Sequence, residues 1–155
     1  MRVGGRTLII GLALAGLLTG AGYLAYERLR GPAATAPDST RLALGGALYG
    51  THCAACHGAE LEGEPNWRQR KPDGLLPAPP HDETGHTWHH PDGQLFEITK
   101  RGTAALVGSG YQSAMGPFGE VLSDDEIRAV LAYIKSRWPE NVRARQAEIT
   151  ERAGN

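Results

Sequence analysis

The longest apolar stretch in the chain runs from Thr7 to Tyr26, TLIIGLALAGLLTGAGYLAY, twenty residues without a charge. As a helix rising about 1.5 Å per residue, it would cross the roughly 30 Å hydrocarbon core of a bilayer. Residues 7–26 are therefore expected to form a single transmembrane anchor or a signal sequence, with residues 1–6 on the cytoplasmic side because Arg2 and Arg6 precede the run. Tyr23 and Tyr26 stand at its outer end, where amphipathic rings favour the interface. Ala34-Thr35-Ala36 has the small-residue form of a cleavage site, but it lies well past the apolar run and just before Pro37, which favours an uncleaved anchor. Either outcome carries the rest of the chain across the membrane.

Beyond the anchor the pattern changes. Residues 27–40 end in GPAATAPDST, rich in Pro, Ala and small polar residues without apolar periodicity, and read as a linker. From Ser39 or Thr40 as cap, Leu42, Leu44, Leu48 and Tyr49 predict a helix leading to Cys53, interrupted at its centre by Gly45 and Gly46. Two central glycines are poor helix formers unless something packs closely there. After Pro91-Asp92, the residues Leu95, Phe96 and Ile98 predict a second helix ending near Gly102. Ser123-Asp124-Asp125-Glu126 has the form of a capping box, and Ile127, Val130, Leu131 and Ile134 continue at helical spacing until Pro139 stops the helix after Trp138. The pattern is that of a small all-α domain over residues 41–139. Residues 140–155, charged and sparsely apolar, read as a polar tail, a solvated or frayed helix with no assignable role.

Charge sharpens this division. The whole chain carries a formal charge of -1, which offers no basic footprint for nucleic acid. Four Arg and one Glu precede residue 31, leaving 12 basic and 16 acidic residues beyond it, a formal -4. The domain outside the membrane is mildly acidic.

Candidate chemistry is concentrated in Cys53-Ala54-Ala55-Cys56-His57, which uses both cysteines of the chain. Two thiols and an imidazole at this spacing are what covalent c-type haem attachment requires: each thiol adds across a porphyrin vinyl group, and the following His is held beneath the iron. A redox dithiol would call for a thioredoxin-like βαβ setting, which the surrounding pattern lacks, and a zinc site for a second Cys pair or a His pair at finger spacing. No P-loop, nucleophile elbow or dinucleotide fingerprint accompanies the motif. Catalytic residues are not expected.

With these residues in place, the chain resembles the class I monohaem cytochromes c over roughly residues 41–138. The resemblance implies a small fold of three to five helices around one covalently attached haem c, here preceded by a transmembrane helix. In that family a Gly, then an aromatic four residues on, lead into CXXCH, as Gly45, Tyr49 and Cys53 do. The glycine lets the C-terminal helix cross closely, at positions resembling Val130 and Tyr133. Cys53 and Cys56 then correspond to the thioether cysteines and His57 to the proximal iron ligand. Met115, in Ala114-Met115-Gly116-Pro117-Phe118 and 58 residues after His57, resembles the distal methionine, although the family often has Pro where Gly116 stands. A proline carbonyl is expected to accept a hydrogen bond from the proximal imidazole. Pro77, Pro79 and Pro80 are all candidates. Trp67, Arg68 and Arg70 are candidates to pack on the porphyrin or pair with a propionate.

His/Met coordination would raise the potential and fill both axial positions, which suits a one-electron carrier rather than an enzyme. The implied setting is the periplasmic side of the inner membrane, between a quinol-oxidising complex and a terminal oxidase or another periplasmic acceptor. The alternatives are an accessory haem-c subunit of a larger respiratory complex, or a haem sensor or peroxidase-like protein with an open sixth position. His81, His86, His89 and His90 add two rival readings: a distal ligand in place of Met115, or a copper or zinc site at His86, His89 and His90.

Overall fold

The computed structural model describes residues 39–154, all within one unit, Pro37–Asn155. The expected cytoplasmic N-terminus, anchor and nearly all of the linker lie outside the described residues. Among those described, no helix is long and apolar enough to cross a membrane.

The described chain is all-helical, and the three helices predicted from the pattern are present. Helix α1 is Ser39–His52 and is followed by the short α2, Ala54–His57. A 3-10 turn, Thr87–His89, precedes α3, Asp92–Arg101, and α4, Thr103–Val107. Then come α5, Asp124–Ser136, and α6, Glu140–Arg152.

The most extensive helix pairing joins α1 to α5, and it explains the central glycines. Gly45 is buried, and a Cβ on it would run into the Ala129 carbonyl. At Gly46 a Cβ would meet the Tyr133 ring at 3.1 Å. Ala129 and Tyr133, rather than the Val130 suggested by resemblance, thus form the close crossing at Gly45. Val130 lies instead in the core beside Tyr49, Leu61, Ile134 and Trp138. The Tyr49 and Tyr133 rings meet at 5.6 Å.

Helix α5 begins as the sequence predicts. The Ser123 hydroxyl accepts from the Glu126 amide, and the Glu126 carboxylate accepts from the Ser123 amide at 2.8 Å. These two bonds satisfy amides that otherwise lack partners at a helix start.

The polar tail is helical, as expected, but docked rather than solvated or frayed. Residues 140–152 form a regular helix that packs against the 3-10 turn. Its anchor is polar: Gln146 is fully buried, and its amide nitrogen reaches the His90 carbonyl, Asp92 Oδ1 at 2.6 Å and Thr150 Oγ1. Thr150 Oγ1 in turn accepts from the Asp92 amide, while Arg143 donates to the Trp138 carbonyl. Val142 packs on the core beside this network, but a single apolar contact and a buried Gln give apolar periodicity little to register.

Candidate functional site

Helix α1 delivers the cysteine turn. The Cys53 amide donates to the Tyr49 carbonyl, continuing the helical ladder, and the amides of Cys56 and His57 both donate back to the Cys53 carbonyl. Gly58 then takes a φ of +82°, a conformation that favours glycine, and reverses the chain. The Tyr49 hydroxyl donates to the Gly58 carbonyl at 2.8 Å, and the Gly63 amide to that of His57 at 2.7 Å. Cys53, Cys56 and His57 are thereby fixed on one turn, and neither thiol is in a disulfide.

The two thiols differ in exposure. Cys56 is exposed, whereas burial, with a smaller contribution from Cys56, pushes the Cys53 thiol up to about 11. A thiol so raised stays protonated at neutral pH, the reverse of the depressed values that make redox dithiols reactive.

His57 is buried and its Nδ1 lies 2.8 Å from the Pro79 carbonyl oxygen. Only an Nδ1–H can donate to a carbonyl, so the lone pair of the neutral imidazole resides on Nε2, the atom a metal would take. Burial holds this imidazole below the ordinary histidine value, opposed in part by the Pro79 bond and then by the Glu64 charge. Of the three candidate prolines, Pro79 provides the acceptor. Its position is secured by Glu64, a residue with no motif or spacing to single it out. The Glu64 amide donates to the Ala78 carbonyl at 2.9 Å, and its carboxylate accepts from the Ala78 amide at 2.6 Å.

His81 lies against the same imidazole. Its ring stacks on His57 with centroids 3.9 Å apart and planes inclined by 23°. Two imidazoles stacked face to face cannot also point at one metal from opposite sides, so this arrangement is incompatible with His81 as the distal ligand.

Met115 is carried on a separate segment. Its sulfur accepts from the Thr103 hydroxyl at 3.6 Å, not from any residue of the cysteine turn. The segment is strapped to the end of α3, where the amides of Phe118 and Gly119 donate to the carbonyls of Thr99 and Lys100. Gly102 allows the close approach: a Cβ there would lie 3.1 Å from the Pro117 nitrogen, and its φ is +80°. Thr103 is a second residue that sequence reasoning missed, since a lone threonine carries no spacing signal.

The remaining candidates pair with one another. Trp67 stacks on His86 at 5.4 Å and has the Arg68 guanidinium 4.0 Å from its ring centroid, and Trp88 stacks on His89 at 3.6 Å. Arg70 donates to the Gly74 carbonyl. His86 and His90 meet edge to face, but among the described residues no three His, Cys, Asp or Glu side chains could hold a metal ion. The copper or zinc reading has no site there.

An all-helical domain that presents two free thiols on one helical turn, next to an imidazole with its metal-binding nitrogen open, has the donor set of a c-type haem protein. Residues 42–138 match the family model for cytochrome c, and the chain belongs to the cytochrome c family. It is a class I c-type cytochrome with covalently bound haem c, in a family whose members are generally electron carriers. No curated protein matches the chain. Among solved structures it is similar to cytochrome CL from the marine methylotrophic bacterium Methylophaga aminisulfidivorans MPT, with 26% identity, 77% of this chain and 68% of that chain covered, and a TM-score of 0.47. The residues present fit the cofactor.

Proposed function

We propose that this chain is a membrane-tethered monohaem cytochrome c carrying single electrons between redox partners on the periplasmic side of the inner membrane. Residues 7–26 provide the tether in this reading, and residues 27–40 the linker. The donor is a quinol-oxidising complex and the acceptor a terminal oxidase or another periplasmic protein. When bound, haem supplies a one-electron iron couple. Cys53 and Cys56 would supply the thioether bonds, and His57 would present Nε2 to the iron while Pro79 holds Nδ1–H. Met115 would supply its thioether sulfur as the second iron ligand, with Thr103 orienting it. The observation that carries the reading is the His57–Pro79 bond on the turn that also bears both thiols.

The optical spectrum of the oxidised holoprotein tests the ligand pair. His/Met ligation predicts a weak far-red iron–sulfur charge-transfer band in the native protein and its loss in Met115→Ala. A native spectrum without the band would remove Met115 as ligand, and a high-spin one would return the sensor or peroxidase-like reading. Recovery of the cytochrome in washed membranes, and its release on deletion of residues 1–26, tests the tether.

A further inference from the structure

The stacked pair His57 and His81 is held far more firmly than an incidental contact. The His81 amide donates to the Leu61 carbonyl at 2.7 Å, and its own carbonyl accepts from Trp138 Nε1 at 2.6 Å. Both anchors are fully buried core residues. Leu61 even takes a φ of +74°, uncommon for a non-glycine residue, and in that conformation its carbonyl serves the amides of both His81 and Asp82. At the ring, Nδ1 lies 2.8 Å from Thr87 Oγ1, and the Thr87 hydroxyl reaches the Pro80 carbonyl at 3.4 Å. Backbone and ring are therefore each held by bonds that do not involve His57.

His57 itself is fixed along one direction by the Pro79 bond. That bond leaves the ring able to tilt about the line from Nδ1 to the carbonyl. A flat, pinned surface across its face removes this freedom. Acceptor and surface come from one short segment, Pro79-Pro80-His81, so the imidazole is gripped by its edge and its face together.

We propose that His81 is a positioning residue that fixes the plane of the His57 imidazole, and through it the electronic structure and potential of the haem iron. The inference rests on His57 as the proximal ligand. Orientation of a ligand by residues around it is a general means of tuning a metal. What is particular here is that a stacked side chain does it alongside the usual carbonyl.

The test compares the holoprotein with His81→Leu, which fills the space without a flat face, and His81→Phe, which restores the face without the Thr87 bond. The readouts are the g-values of the ferric iron by electron paramagnetic resonance and the midpoint potential by spectroelectrochemistry. The expected result is changed mean g-values and a shifted potential in His81→Leu, with both means returned toward native in His81→Phe but the g-values broadened, since the Phe ring lacks the Thr87 bond. Thr87→Val, which frees the His81 ring while leaving it in place, is expected to broaden the g-values and decides the matter if His81→Leu does not fold. Native g-values in His81→Leu, or in Thr87→Val where only that variant folds, overturn the proposal, as do equal changes in the Leu and Phe variants. Failure of the ligand assignment is separately visible: the ferric signal of the holoprotein would then be the same in His57→Ala as in the native protein.

Discussion

Glu64 shows how a surface carboxylate can govern an internal one-electron site without touching it. Its side chain accepts from Lys71 at 2.8 Å and from the Ala78 amide, and these partners, Lys71 first, hold its carboxyl below the ordinary carboxylate value. A depressed pKa means that the folded state favours the ionised form. The stabilisation is thus complete above the ordinary carboxylate range, about pH 4, and is lost as pH falls through the lower folded value. Glu64→Gln should flatten the acid limb of a urea-midpoint-versus-pH profile, since Gln no longer titrates. A profile unchanged from the native one would show that Glu64 contributes nothing to acid sensitivity. Thr103 acts on the other proposed ligand. A hydroxyl donating to a thioether withdraws electron density that would stabilise ferric iron, so Thr103→Val should lower the midpoint potential, and a raised value would contradict the Met115 assignment. Neither Glu64 nor Thr103 was legible beforehand, because their partners are backbone atoms or distant in sequence. The choice among Pro77, Pro79 and Pro80 was hidden for the same reason: a carbonyl has no side-chain signature. Cys53, Cys56 and His57 were legible because their chemistry is written in contiguous residues.

At the level of helices, the α1–α5 crossing is the contact most exposed to a single methyl group. Gly45→Ala places a Cβ against the Ala129 carbonyl, a backbone atom that cannot swing aside. Overpacking of this kind costs about 1–3 kcal/mol, which chemical denaturation of the holoprotein would register. Gly50→Ala, where a Cβ would meet nothing within 4 Å, is the matched control and should be neutral or stabilising. Removing the α5 cap by Ser123→Ala should cost about 1 kcal/mol in the same assay. The start of α5 was readable because a capping box is local, with both partners within four residues. The α6 docking was not. Its buried anchor, Gln146, is a residue type that is usually exposed, and its partners lie 54 and 56 residues away on Asp92 and His90.

Across the whole described domain, Asp92 joins three helices. It begins α3, pairs with Lys135 of α5 at 2.7 Å and accepts from Gln146 of α6 at 2.6 Å. Gln146→Ala should therefore destabilise by about 1–3 kcal/mol, the scale for leaving buried polar groups unpaired, while the potential stays native because the cysteine turn is untouched. A large potential shift in that variant would mean that α6 reaches the haem through the histidine loop. The bond from His57 to Pro79 closes a loop of 22 residues. Closing a chain segment of that length costs roughly 2.7 kcal/mol of entropy, beyond the 0.5–1.5 kcal/mol that one hydrogen bond returns. The bond therefore cannot gather the loop. The loop, drawn in by Leu61, Glu64 and Trp138, holds the bond. Orientation of the imidazole is then a cooperative property of the folded domain: on heating, its spectroscopic signature should stay constant and vanish at the global transition, with no earlier loosening of its own.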